Sequence, residues 1–133
     1  MNNTTEYYES RCLSKLLQFA NAVGVCVSIV AFKSDAKGLM KQGADKTFKV
    51  GIREGLSIED AAYTLVHELA HIYLHADKGD TINSHLHNEY EEQADRAATM
   101  LLDFVRMGCL QESRCRKNKS SQNPARYTGS NNN

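Results

Sequence analysis

The chain has 133 residues and a mass of 14.9 kDa, which suits one domain with a single modest core. Its hydrophobic fraction of 41% and charged fraction of 24% are ordinary for a globular protein. Sixteen basic residues balance sixteen acidic ones, so the total charge argues against a nucleic-acid or membrane-surface binder.

The N-terminal residues, MNNTTEYYES, are polar and acidic and do not form a signal peptide. The longest apolar run, 22–32, is too short to cross a bilayer and is interrupted by Gly24 and Ser28. We therefore expect a cytoplasmic protein with no membrane partner. The cysteines lack close-paired spacing and are expected to be reduced thiols rather than disulfides or zinc ligands; they are Cys12, Cys26, Cys109 and Cys115.

The first half of the chain predicts one helix and a small sheet. Residues 6–20 carry apolar side chains at helical spacing. The run VGVCVSIVAF, at 23–32, is rich in valine and isoleucine and predicts a buried strand, followed by turn residues at 34–38. In 47–53 apolar and polar residues alternate, which predicts a strand with one exposed face. We expect one of these two strands to form an edge of the sheet, and an extended substrate could pair with the exposed strand near 48–52.

The second half predicts two long helices. Ser57, with Asp60 three residues later, indicates a helix start, and the helix should run from Ile58 to about His75. Its core-facing stripe comprises Ala62, Leu65, Leu69 and Ile72, widened by Val66 and Tyr73. After a polar loop, a second helix should run from Glu89 to about Met107, with Gly108 as the stop.

The end of the chain differs in composition from the rest. Residues 111–133 hold five basic residues and one acid, a net charge of about +4, and almost no apolar side chains. We expect a single domain over 1–110 and a disordered, solvated basic tail over 111–133.

The motif HELAH at 67–71 carries the chemistry. Positions four apart share one face of a helix, so His67 and His71 can present two imidazole nitrogens to one zinc ion. A catalytic zinc site needs one more protein ligand and keeps one position for water. Glu68 lies next to the first ligand, where its carboxylate can act as general base toward that water.

The third ligand is expected on the following helix. If the two helices pack antiparallel, Glu91 meets the metal and Asp95, one turn later, accepts the second ring N–H of a ligating histidine. A shifted register would bring Glu92 or Glu89 instead. Asp77 stands six residues after His71, as in metzincin sites, but Leu74 occupies the position where those sites need a turning glycine.

Other polar residues near the motif are given lesser roles. His75, one turn after His71, is expected to support the ligands or the helix end rather than to bind the metal. His85 and His87 lie in the polar loop and are expected to be solvated; the alternative is that one of them lines the cleft. Tyr73 and Tyr90 are expected to pack, so neither is assigned to the oxyanion.

The order of these segments resembles the ImmA/IrrE family of metallopeptidases over residues 10–106. The specific parts are HELAHIYLH and, on the next helix, the ExxAD pattern at 91–95 followed by AATMLL. The resemblance implies an α+β, zincin-like minimal domain: two to three strands on the helix carrying HExxH, a helix carrying ExxAD, and an N-terminal helix. It implies His67, His71 and Glu91 as zinc ligands and Glu68 as catalytic base.

The same resemblance implies a gluzincin-like, zinc-dependent endopeptidase of the kind often encoded in phages and mobile elements. Some relatives cleave a helix-turn-helix repressor, and no such segment is evident here, so a repressor substrate would be a separate protein. We expect a monomer that acts on a protein and does not bind nucleic acid directly. The alternative is a non-catalytic, antirepressor-like binding protein that retains the metal site.

Overall fold

Three helices and three strands make up residues 3–76 and 84–121, the part of the chain that the computed structural model describes. The bounds in chain order are α1 Asn3–Ala22, β1 Val25–Val30, β2 Gly38–Gln42, β3 Phe48–Arg53, α2 Ile58–His75 and α3 His87–Ser121. The predicted α+β class, a small sheet packed on the HExxH helix, is confirmed.

The sheet has the strand order β1–β3–β2. β3 pairs with β1 in parallel and with β2 antiparallel, and Val50 and Ile52 point from it into the core. Of the two strands expected from the sequence, β1 is the one at an edge. The prediction that a substrate backbone pairs with β3 was wrong, because neighbouring strands occupy both sides of it. The β2–β3 hairpin is closed by a hydrogen bond from the Gly43 amide to the Thr47 carbonyl at 2.8 Å.

β1 corrects a second expectation. Its apolar sequence predicted a buried strand, yet only Val25 is buried and Ile29 is 65% exposed. β1 forms an edge of the sheet. Its continuous apolar sequence is therefore not a sign that both of its faces are buried.

α2 has the predicted bounds. The Ser57 hydroxyl accepts a hydrogen bond from the Asp60 amide at 3.1 Å and so satisfies one free N–H group of the first turn. Most of its predicted stripe is buried, but Tyr73 is 88% exposed. Tyr73 follows the buried Val66 by seven residues, but near the end of α2 it is the face with His71 and His75 that packs against α3, and the Tyr73 side chain is exposed.

α3 is longer than expected, because the helix does not end near Gly108 and continues to Ser121. A glycine inside a helix costs only about 1 kcal/mol relative to alanine. The residues after it are largely good helix formers, Leu, Gln, Glu, Arg and Lys. The backbone of 111–121 is therefore helical, whereas 122–133 lie outside the described residues, and the division into a domain and a tail stays a prediction.

Packing of α3 on α2 builds the site. Tyr63, early in α2, contacts Asp95, and His75, at its end, contacts Gln93, so the two helices run antiparallel. Ala94 and Ala98 are fully buried, and their small side chains allow close approach. Behind α2 the core is formed chiefly by Leu16, Ala20, Val50, Ile52, Ala62, Leu65, Val66 and Leu102.

α1 and α3 are also in contact through two buried cysteines. The buried thiols of Cys12 on α1 and Cys109 on α3 lie 3.1 Å apart, and Cys12, Cys26 and Cys109 are all free. None of the helices in the described ranges is long and apolar enough to cross a membrane.

Candidate metal centre

His67 and His71 lie one turn apart on the face of α2 that turns toward α3. Their Nε2 atoms are 3.1 Å apart, and their rings meet edge to face. Both side chains are largely shielded from solvent. Burial lowers the pKa of His71, and the neighbouring Glu91 carboxylate opposes that shift. A buried, neutral imidazole is the form that donates a lone pair to a metal.

Glu91 completes the group from α3. Its Oε2 lies 3.0 Å from His67 Nε2, and its Oε1 lies 3.3 Å from His71 Nε2. Among the described residues, these three are the His, Cys, Asp and Glu side chains that come together closely enough to hold a metal ion, with ligand atoms within 4.8 Å of one another.

The spacing of these atoms fits a cation at their centre. Zinc holds nitrogen and oxygen donors at about 2.0–2.1 Å, and tetrahedral geometry then separates neighbouring donors by about 3.3 Å. The two Nε2 atoms are 3.1 Å apart, and each lies near that value from a different oxygen of the Glu91 carboxylate, His67 at 3.0 Å from Oε2 and His71 at 3.3 Å from Oε1. Two imidazoles and one carboxylate also form a donor set that zinc accepts, although several divalent ions accept it. His67, His71 and Glu91 could therefore hold a metal ion, whose identity the donor atoms do not fix.

Asp95 lies behind His67. Its Oδ1 is 2.9 Å from His67 Nδ1 and accepts a hydrogen bond from the Tyr63 hydroxyl at 2.9 Å. His67 Nδ1 is close to the carboxylate but is not aligned for a hydrogen bond, so this contact is electrostatic. Burial and the Asp95 carboxylate raise the pKa of Tyr63, which keeps its hydroxyl protonated as a donor.

His75 lies behind His71. The Nδ1 atoms of the two rings are 3.1 Å apart, and His75 Nε2 lies 2.8 Å from the Gln93 side-chain oxygen. The Tyr90 ring packs on His75, with the ring centroids 4.6 Å apart. The structure thus places His75, which is 3% exposed, against a member of the metal group and outside the group itself.

Glu68 is buried beside the group. Burial raises the pKa of its carboxyl to about 7; the His67 charge opposes this shift, and Glu91 adds to it. β2 passes directly over it: a β-carbon on Gly38 would lie 3.2 Å from Glu68 Oε1 and 2.5 Å from the Thr64 methyl carbon. A strand can approach this closely only with glycine at that position.

A family model described as the IrrE N-terminal-like domain, Peptidase_M78, matches residues 24–111, about two thirds of the chain. The chain belongs to this peptidase family. The predicted ImmA/IrrE membership is thereby confirmed, and the family supports a peptidase-type hydrolase with a metallopeptidase-like function. No curated protein and no solved structure matches the chain.

The alternatives for the third ligand of this IrrE-like domain are placed elsewhere. The Glu92 carboxylate pairs with Arg96 at 3.0 Å, and neither Glu92 nor Glu89 belongs to the metal group. His85 is exposed, and Asp77 lies outside the described residues.

Four residues of the IrrE-like site were not singled out from the sequence. Tyr63 precedes His67 by four residues, so helical spacing alone could have indicated it. Gln93 carried no comparable signal, because its role depends on how α3 packs against His75. Gly38 lies on β2 and Thr64 on α2, and their closeness depends on how the sheet packs against α2, which no local pattern predicts.

Proposed function

We propose that the chain is a zinc-dependent endopeptidase that hydrolyses a specific peptide bond in a protein substrate. The observation that carries the proposal is the approach of His67 Nε2, His71 Nε2 and the Glu91 carboxylate to within 3.0–3.3 Å of one another, with the buried Glu68 alongside. A cation bound there supplies a Lewis acid that polarises the scissile carbonyl and acidifies water.

Glu68 is the proposed general base. In the protein without metal, burial raises the pKa of its carboxyl to about 7. A cation held by the neighbouring ligands would lower that pKa and favour the carboxylate, the form that takes a proton and returns it later in the same turnover. Glu68 removes a proton from the attacking water, whose oxygen bonds to the carbonyl carbon. The carbon–nitrogen bond then breaks, and Glu68 gives the proton to the leaving amine.

β2 is the proposed docking strand for the substrate backbone. β3, expected earlier in this role, is paired on both sides, whereas β2 pairs only with β3 within the described ranges. β2 starts at Gly38, in contact range of Glu68, so a segment added along its free edge would pass near the base. Extended segments of proteins are therefore the proposed substrate class.

The proposal extends to the partner and the setting. By resemblance to relatives that cleave repressors, the substrate is proposed to be a separate helix-turn-helix repressor, cut in the cytoplasm by a monomeric enzyme without direct nucleic-acid contact. The free cysteines are compatible with a reducing compartment.

Glu68→Gln tests the catalytic claim. The purified protein, loaded with zinc, is incubated with a peptide library prepared from a bacterial proteome, and new N-termini are identified by mass spectrometry. The wild type should generate a defined set of new termini, and Glu68→Gln should lose them while retaining zinc. The matched control is Glu92→Gln, which changes an exposed glutamate on α3. This variant should cleave normally.

Two results would count against the proposal. Cleavage by Glu68→Gln at the wild-type rate would remove Glu68 from the role of base. Full zinc occupancy of the wild type without cleavage of the library or of any co-encoded repressor would favour the non-catalytic alternative.

A further inference from the structure

The contact between His71 and His75 contains one shared proton position. Their Nδ1 atoms lie 3.1 Å apart, which is hydrogen-bond distance between two nitrogens. If both Nδ1 atoms carried a proton, the two protons would clash. If neither did, two nitrogen lone pairs would face and repel each other. Since both rings are buried, water does not relieve either situation.

The location of that proton decides whether His71 can bind a cation. A neutral imidazole carries one N–H and one lone pair, on different nitrogens. His71 Nε2 faces His67 Nε2 and Glu91, so its lone pair is available there only when Nδ1 holds the proton. His71 must therefore donate to His75 Nδ1, and His75 must carry its own proton on Nε2.

Gln93 supplies what that arrangement requires. In the orientation that the structure gives its amide, the side-chain oxygen lies 2.8 Å from His75 Nε2 and accepts a hydrogen bond there. We propose that Gln93 is a positioning residue, which acts through His75 to hold His71 in the tautomer whose Nε2 lone pair faces the metal group. The proposal rests on the proposed function for its purpose, but the tautomer is a property of the protein without metal.

The two ligand histidines differ in how they are held. His67 Nδ1 lies 2.9 Å from the carboxylate of Asp95, whose negative charge favours the tautomer with a proton on Nδ1 even without an aligned hydrogen bond. His71 faces another imidazole, which can donate or accept and selects nothing by itself. The choice is passed outward to the Gln93 amide, which meets His75 through its oxygen, while the Tyr90 ring packs against His75.

The experiment compares the wild type with Gln93→Leu and Gln93→Glu. Leucine removes the acceptor, whereas glutamate retains an acceptor oxygen. Glu92→Gln is the control for a change on the exposed surface of the same helix turn. Long-range ¹H–¹⁵N NMR of the metal-free full chain reports which ring nitrogen of His71 is protonated. Competition with a chromophoric chelator measures the affinity for zinc.

We expect Nδ1–H at His71 in the wild type, Gln93→Glu and Glu92→Gln. Gln93→Leu should populate both tautomers and bind zinc about 10- to 100-fold more weakly, the usual loss when an outer hydrogen-bond partner of a ligand is removed. Gln93→Glu should stay within about threefold of the wild type, which a purely structural role of the amide would not predict.

An unchanged His71 tautomer in Gln93→Leu, or zinc binding as tight as in the wild type, would overturn the proposal. So would a Gln93→Glu variant as weak as Gln93→Leu. If tautomer and zinc affinity change as expected in a protein that cleaves nothing, the positioning role stands and only the peptidase proposal fails.

Discussion

Gly38→Ala should destabilise the protein by crowding the base. The new β-carbon would lie 2.5 Å from the Thr64 methyl carbon, about 1 Å inside an ordinary contact of about 3.5 Å. It would also lie 3.2 Å from Glu68 Cγ and Oε1. Thr64 and Glu68 are both buried, so neither can swing freely into solvent. Overpacking of this kind costs about 1–3 kcal/mol.

The assay is thermal unfolding of the metal-free protein, followed by circular dichroism with a chelator present. For a domain of this size 1 kcal/mol corresponds to about 4 °C, so Gly38→Ala should lower Tm by about 4–12 °C. Thr64→Ser removes the methyl group that the new β-carbon meets and should cost about 1 kcal/mol alone. The double variant should therefore be more stable than the sum of the two changes predicts.

Gly108→Ala is the matched control, because a β-carbon at Gly108 meets nothing within 4 Å. Inside α3 it should leave stability unchanged or raise it by about 0.5–1 kcal/mol. A Gly38→Ala variant that melts with the wild type would refute the steric reasoning. Strict additivity of Gly38→Ala and Thr64→Ser would show that the Thr64 methyl is not the obstacle.

Two other predictions concern metal and pH. Adding zinc at about 100 times its Kd should stabilise the metal-free protein by about 2.7 kcal/mol in a thermal scan, and His71→Ala should lose this gain; an equal gain in the variant would place the zinc elsewhere. Burial and the adjacent Cys109 thiol raise the pKa of Cys12 from 9.0 to about 12, so the folded state keeps a proton that the unfolded state loses above pH 9. The contribution of this thiol to the free energy of unfolding should therefore be constant below pH 8. Between pH 8 and pH 10 the free energy of unfolding should fall by about 1 kcal/mol. Urea unfolding at both pH values should show a smaller fall in Cys12→Ala, and an identical fall would assign the effect to other groups.

What could be predicted from the sequence depends on how local each feature is. α2 and its cap follow from spacing and side-chain chemistry within a few residues, and its predicted bounds are those observed. The face shared by His67 and His71 follows from helix geometry. Placing Glu91 beside them needed one further step, antiparallel packing of the next helix, which the small Ala94 and Ala98 favoured.

The features that were mispredicted or missed depend on which surfaces other elements cover. An apolar strand such as β1 has the same sequence pattern whether it lies inside a sheet or at its edge. Tyr73 repeats the spacing of buried residues, but its side chain is exposed among the residues that the structure describes. Gln93 acquires its contact with His75 only through the exact offset of two helices, which no single-helix pattern contains.

The three candidate ligands are unequally distributed, since two belong to α2 and only Glu91 belongs to α3. A cation held by all three would therefore cross-link two helices and add to the packing and to the hydrogen bonds of Tyr63 with Asp95 and of His75 with Gln93. If α3 packed against α2 with its sequence shifted by one residue, Glu91 would be turned by about 100° around the axis of α3, and the link would be broken. The alignment of α3 along α2 thus becomes a condition for holding the ion, and an ion, once held, would oppose sliding of one helix past the other.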